Sequence, residues 1–247
     1  MPEGALVIGV DCATDPRRVG LARGVVEGES LRLMAATTGA AVDPVDRIAG
    51  WMAEAPRTLL ALDAPLGWPA PLADGLQGHR AGMPLAGAPN ALFRRATDRS
   101  VHARLGKLPL EVGADRIART AHAALALLSA LRRRTGLALP LAWDPGLEQA
   151  SATEVYPAAT LRACGLPASG YKRPADAAVR RAILGGLHAH LSIPAGLEAT
   201  LLGNADVLDA TACLLAGLDF LRGRSMPPPD PAMARREGWI WVRERNG

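Results

Sequence analysis

The sequence predicts an α/β protein with a mixed sheet, and three observations carry that expectation. Three apolar, partly alternating runs succeed one another near the N-terminus across short turns. An amphipathic helical stretch and a buried-strand run follow at once, and helical periodicity dominates the remainder. At 247 residues, 49% of them hydrophobic, the chain can bury a full core. No interdomain linker divides it, so a single domain over residues 1–247 is expected, with a loop-rich insertion at about 67–110.

The elements follow in order. "ALVIGVDCA" (5–13) is a short apolar strand ending near Asp11, "VGLARGVVEG" (19–28) alternates in part, and "SLRLMAAT" (30–37) sets Leu31, Leu33 and Ala35 against Arg32 and Met34. "EGES" turns between the last two, which makes an antiparallel meander. After Asp43-Pro44, Val45, Ile48 and Met52 fall at helical spacing, and "RTLLALDAPLG" (57–67) reads as a buried strand ending at Asp63. The opening is therefore βββαβ. Proline and glycine punctuate 67–110, where "ALFRRATDRSVHARLG" (91–106) predicts one short helix. From Gly113 to Arg134 the apolar period Ile117, Ala121, Ala124, Leu125, Leu128 and Leu131 predicts a long helix ending in "RRRTG". A short strand at 151–156 stopped by Pro157, a helix from about Ala158, a helix over 174–191 and a last long helix over 204–221 complete the core. "MPPPDP" reads as a stiff connector, and "EGWIWVRE" (237–244) as a terminal strand or extended edge.

Several function classes are excluded by what the sequence lacks. No apolar run reaches the roughly 20 residues a bilayer-spanning helix needs, and the N-terminus has no basic, apolar and small-residue succession of a secretory signal, so a cytoplasmic protein without membrane partners is expected. Cys12, Cys164 and Cys213 are odd in number and far apart, which fits free thiols better than a disulfide framework or a zinc site. The five histidines form no H-E-x-x-H or i,i+4 pair, and no nucleophile elbow, P-loop or dinucleotide fingerprint occurs. Net charge is only +4; arginine clusters such as Arg132-Arg133-Arg134 permit phosphate contacts without demanding them.

The informative residues are acids. Asp11 ends the first strand, Asp63 ends the strand after the first helix, Glu154 lies on a later strand, and "NADVLDATA" (204–212) places Asp206 and Asp209 three apart on one helix face. Asn204 is a good N-cap, so the helix dipole accounts for Asp206; Asp209 sits beside the apolar stripe of Leu208, Ala212, Leu215 and Leu218, where a charge is costly. Carboxylates gathered at strand ends repel unless a cation binds them. Mg²⁺ or Mn²⁺ suits oxygen ligands, and two ions about 3.5–4 Å apart can activate a water and stabilise the leaving oxygen of a phosphodiester. Each acid also has a structural alternative: Asx-turns for Asp11 and Asp63, and an ion pair with Arg162 or Lys172 for Glu154.

The βββαβ opening, with acids ending its first and fourth strands and a late helical D-x-x-D-A, resembles the ribonuclease H-like superfamily, especially its Holliday junction resolvase branch. Within it, "IGVDCA", "LALDAPLGWP", "RRATDRSVHARLG", "TEVYPA", "GYK", "DVLDATA" and "EGWIWV", in that order, are similar to the DUF429 family, described as predicted ribonuclease H-like nucleases. The resemblance implies a metal-dependent nuclease acting on nucleic acid or nucleotides. It implies that Asp11 bridges two ions, that Asp63 and Asp209 each help hold one, and that Asp206 or Glu154 completes the shell or accepts a proton. Arg95, Arg99, Arg104 and Lys172 are the candidates for substrate phosphates, where an arginine fork is well suited. Two other classes compete: an ATP-dependent phosphotransferase of actin-like core, against which the non-glycine turn "DCATDPRR" argues, and a non-catalytic metal- or nucleic-acid-binding module.

Overall fold

The computed structural model describes residues 4–113 and 115–244. Strand β1 (Leu6–Asp11) carries no charge before its last residue, and a run apolar on both faces belongs inside a sheet. It pairs antiparallel with β2 (Gly20–Glu27), which pairs antiparallel with β3 (Ser30–Thr38). Helix α1 (Pro44–Met52) starts where Asp43 accepts hydrogen bonds from the N–H groups of Val45 and Asp46, and it returns the chain to β4 (Thr58–Asp63), parallel to β1. The βββαβ opening is as expected.

The insertion departs from its expectation. It holds three helices, α2 (Ala70–Leu76), α3 (Pro89–Phe93) and α4 (Ala96–Leu105), where one was expected over 91–106. Arg94 and Arg95 are extended and break that stretch; the Asp98 carboxylate accepts from the Arg95 N–H at 2.9 Å and fixes the start of α4. Helix α5 (Asp115–Thr135) ends at Gly136, whose φ of 73° supplies the left-handed stop. Strand β5 (Ser151–Glu154) pairs parallel with β4, and α6 (Pro157–Ala163) follows.

The segment read as a helix over 174–191 begins as a 3-10 turn, becomes α7 (Ala177–Leu187) and ends in β6 (Leu191–Ser192), which pairs parallel with β3. Helix α8 (Ala195–Gly203) had no sequence signal beyond its leucines. Helix α9 (Ala205–Leu221) is the expected long one, whereas α10 (Pro231–Glu237), for which nothing was expected, starts at the last residue of the connector, where Pro231 is tolerated at N1 and Asp230 caps it. The terminal "EGWIWVRE" stretch is extended and bridges Glu154 to Ile240 and Ser225 to Arg243 without forming a full strand. The result is an α/β protein with a six-stranded mixed sheet in the order β5-β4-β1-β2-β3-β6 and, among the described residues, ten helices.

Alternation along the central strands divides the core. Leu6, Ile8, Val10, Leu60 and Leu62 pack against Ile48 and Trp51 of α1 and Ala124, Leu128 and Leu131 of α5. Val7, Ala22, Leu33, Leu59 and Ala61 face α9. Each fully buried leucine contributes ~1.5–3 kcal/mol. Helix α9 is buried on all sides from Val207 to Leu221, so its apolar stripe was only part of a wholly enclosed helix. It lies unusually close to the sheet: a Cβ on Gly9 would sit 2.0 Å from the Ala210 carbonyl oxygen, and one on Gly20 2.1 Å from that of Asp206. Those two glycines let Asp209 approach the end of β1. No helix among the described residues is long and apolar enough to cross a membrane.

Candidate metal centre

Asp11 and Asp63 are register partners on the parallel strands β1 and β4, so their side chains leave the sheet on the same side at the same level. Helix α9 brings buried Asp209 over them. One carboxylate oxygen from each of the three lies within 4.8 Å of the others. Oxygens bound to one ion at about 2.0–2.6 Å are at most ~5 Å apart, so three hard donors at this spacing could hold a divalent cation.

Their protonation reflects crowding. Burial and then the charges of Asp63 and Asp209 hold Asp11 well above the usual carboxylate range. Burial and Asp209 push Asp63 up to about 7. Asp209 is also raised by burial, against the opposing effects of Lys172 and Tyr171. The Tyr171 hydroxyl donates to Asp209 Oδ1 at 2.8 Å, and the Lys172 ammonium bonds to Oδ2. Burial disfavours the Lys172 charge, but Asp209 and Asp11 outweigh it and hold the ammonium above its ordinary value. Lys172 is half-exposed at this edge, and its single positive charge bears on all three carboxylates.

The other expected site residues lie outside the trio. Asp206 lies outside the trio; Asn204 Oδ1 accepts from its N–H at 2.8 Å, and Arg18 pairs with its carboxylate at 3.9 Å. Its first-turn dipole role is as read. Glu154 is a correction: its partner is neither Arg162 nor Lys172 but Arg95, at 2.7 and 2.9 Å, and its Oε2 also accepts from the Leu66 N–H at 3.0 Å. Arg95 is a correction too. It is 1% exposed, and its guanidinium donates to both oxygens of Asp98, both of Glu154 and the Glu237 carbonyl, which uses all five N–H groups and leaves none for a phosphate. Arg99 is exposed and donates to the Arg94 carbonyl at 2.6 Å, and Arg104 reaches Glu244 at 3.4 Å and the Met226 sulfur at 3.3 Å. Lys172 alone of the four expected cations touches the acidic trio. The three cysteines are free thiols, as expected.

Two contributors escaped sequence reasoning. Tyr171 had a signal, since it precedes Lys172 in "GYK". Glu237 had none: it is buried at the N-termini of α2 and α4, where its carboxylate accepts from the Ala70 and Ala96 N–H groups, both at 2.7 Å. Beside the trio opens a cavity of about 240 Å³, walled by Asp11, Asp63, Pro65, Leu110, Ile117 and Tyr156 among others. Burial and the nearby Asp63 push the Tyr156 hydroxyl up to about 12, so it remains a proton donor at neutral pH.

Fold and site define an α/β protein with an acidic centre at its strand ends that could hold a metal ion. The chain belongs to the DUF429 family, described as a protein of unknown function, whose model matches residues 9–234. No curated protein and no solved structure matches it.

Proposed function

We propose that the protein is a metal-dependent phosphodiesterase of ribonuclease H-like architecture, acting on nucleic acid or nucleotides. One observation carries the reading: the carboxylates of Asp11, Asp63 and Asp209 converge within 4.8 Å with one lysine to offset them. The βββαβ order, with acids ending β1 and β4 and a third on a late helix, supports the architecture. The family model spans all three residues.

In this reading Asp11, Asp63 and Asp209 hold Mg²⁺ or Mn²⁺, which when bound supplies Lewis acidity and a more acidic water. Tyr171 fixes the orientation of Asp209, and Lys172 places a positive charge at the solvent edge. Hydrolysis forms a P–O bond to the water oxygen, breaks the P–O bond to the sugar oxygen, and moves one proton from the water to the departing oxygen. A second ion would draw on Asp206, which must then leave Arg18. The ATP-dependent reading gains no support after β1, where Asp15 closes on the Arg17 N–H and guanidinium instead of offering a glycine-rich phosphate turn.

The test is incubation with single-stranded, duplex, hybrid and branched nucleic acids in Mg²⁺ or Mn²⁺, beside Asp11→Asn and Asp209→Asn. Cleavage by the wild type and its loss in both variants is the expected result. Equal cleavage by the variants would sink the proposed site.

A further inference from the structure

We infer that this site takes its substrate one unpaired nucleotide at a time, with the base in the cavity beside the acidic trio and the phosphate toward Asp11 and Asp63. The inference rests on the phosphodiesterase reading and names its substrate class. The cavity's volume is about 240 Å³. That is room for one ring system, and it falls below the ~300–1,000 Å³ typical of drug-sized pockets. A base inside a duplex or at a paired junction arm cannot enter it without being unstacked.

The walls are suited to a base. Pro65, Leu110, Ile117 and Tyr156 give apolar and aromatic surface, and the carboxylates lie at one side. Leu110 is 67% exposed, so a large apolar side chain faces the cavity without a cover. A flat ring laid on it would remove that area from water, and base stacking of this kind tolerates all four bases.

The walls are equally unsuited to an extended backbone. Among the described residues lining the cavity Arg95 is the only cation, and all five of its donors are spent. Three arginines of the basic clusters are engaged elsewhere. Arg132 donates to the carbonyls of Ala138 and Leu139, Arg134 pairs with Asp46, and Arg94 pairs with Glu111. A duplex binder needs several phosphate-contacting cations around its reactive site; here Lys172 is the one that touches the trio.

The experiment is calorimetric titration of the full chain with adenosine 5′-monophosphate in Mn²⁺, with a linear single strand and a closed circular duplex as competitors. The nucleotide and the linear strand should compete, and the closed duplex should not. Ile117→Trp, which fills the cavity, should weaken nucleotide binding roughly tenfold, the scale of one lost base contact. Leu110→Glu, at an exposed position that tolerates substitution, should weaken it similarly, and both variants should keep the wild-type shift in melting temperature on adding Mn²⁺. Undiminished nucleotide binding in both variants, or tight binding of the closed duplex with none of the nucleotide, overturns the inference. A wild type whose melting temperature ignores Mn²⁺ defeats the metal reading instead, and cavity-dependent nucleotide binding in that case still supports the pocket.

Discussion

At the ends of the neighbouring strands β4 and β5 the chain gathers carboxylates twice. Around β5, Glu154 and Asp98 take four of the five donors of Arg95 and the Glu237 carbonyl takes the fifth, while the Glu237 carboxylate accepts from two helix N-terminal N–H groups. Around β4, Asp63, Asp11 and Asp209 meet one half-exposed lysine and one tyrosine hydroxyl. The first cluster is completed by the protein itself: it ties the insertion and the C-terminal segment to the sheet edge. The second is left short of positive charge. Buried charge is tolerated only when paired, so the incomplete cluster is the one that could take a cation.

The comparison breaks most visibly at Arg95. Arg95→Met leaves Glu154 and Asp98 buried without a counter-charge, and removal of one partner from such a network costs ~3–5 kcal/mol. Urea unfolding should register that loss with or without divalent cation. A loss below ~1 kcal/mol would show that this network is not the closed structural unit described.

The acidic trio should respond to pH in the opposite sense from ordinary paired carboxylates. Asp63 is held at about 7 in the folded chain against an ordinary 3.8. The folded state therefore keeps the proton more tightly, and this group's contribution to stability is full below about pH 4 and gone above about pH 7. At ~1.4 kcal/mol per pKa unit the loss is of order 4 kcal/mol, with Asp11 acting in the same direction. Metal-free protein should melt lower at pH 8 than at pH 5, Mn²⁺ should close the gap, and Asp63→Asn should flatten the profile. A wild-type profile that rises from pH 5 to pH 8 without metal would contradict the crowding.

Asp11→Asn is a smaller perturbation with a sharper contrast. Removing one of three repelling charges should raise metal-free stability at neutral pH by ~1 kcal/mol, or ~2–4 °C in a chain of this length. The same change should abolish the stabilisation by Mn²⁺, which for a bound ion at a hundredfold excess over Kd is ~2.7 kcal/mol. Stabilisation by Mn²⁺ that survives in Asp11→Asn would place the ion elsewhere.

The opening of the fold and the trio were legible because both depend on local pattern. Alternation and turn residues define β1 to β4, and an acid ending an apolar run announces itself wherever the strands are placed. Asp209 was legible as a charge beside an apolar stripe. What was not legible depended on partners distant in sequence. Glu154 and Arg95 are 59 residues apart, and nothing in "TEVYPA" or "RRATDR" distinguishes a pair that neutralises itself from two residues aimed at metal and phosphate. Short elements failed for another reason. Strand β6 has two residues and is held by β3, and α8 lacks a segregated apolar face, so neither has a periodicity long enough to read.

Lys172 carries the smallest expected effect and the most direct reading of the contrast between the clusters. Its ammonium is the trio's internal counter-charge, yet the side chain is 54% exposed, so solvent screens most of the attraction. Lys172→Met should lower metal-free stability by only ~0.2–1 kcal/mol, far less than Arg95→Met. The trio would then hold three carboxylates with no lysine beside them, so the melting-temperature shift on adding Mn²⁺ should grow beyond that of the wild type. A shrinking shift would mean that Lys172 helps to assemble the ion's site through its hold on Asp209, and the larger effect of the two then falls on geometry and not on charge. Lys172→Arg separates these outcomes: it keeps the charge but spreads it over a planar fork that cannot sit on one carboxylate oxygen as an ammonium does. If charge is what matters, Lys172→Arg should behave as the wild type; if placement matters, it should follow Lys172→Met.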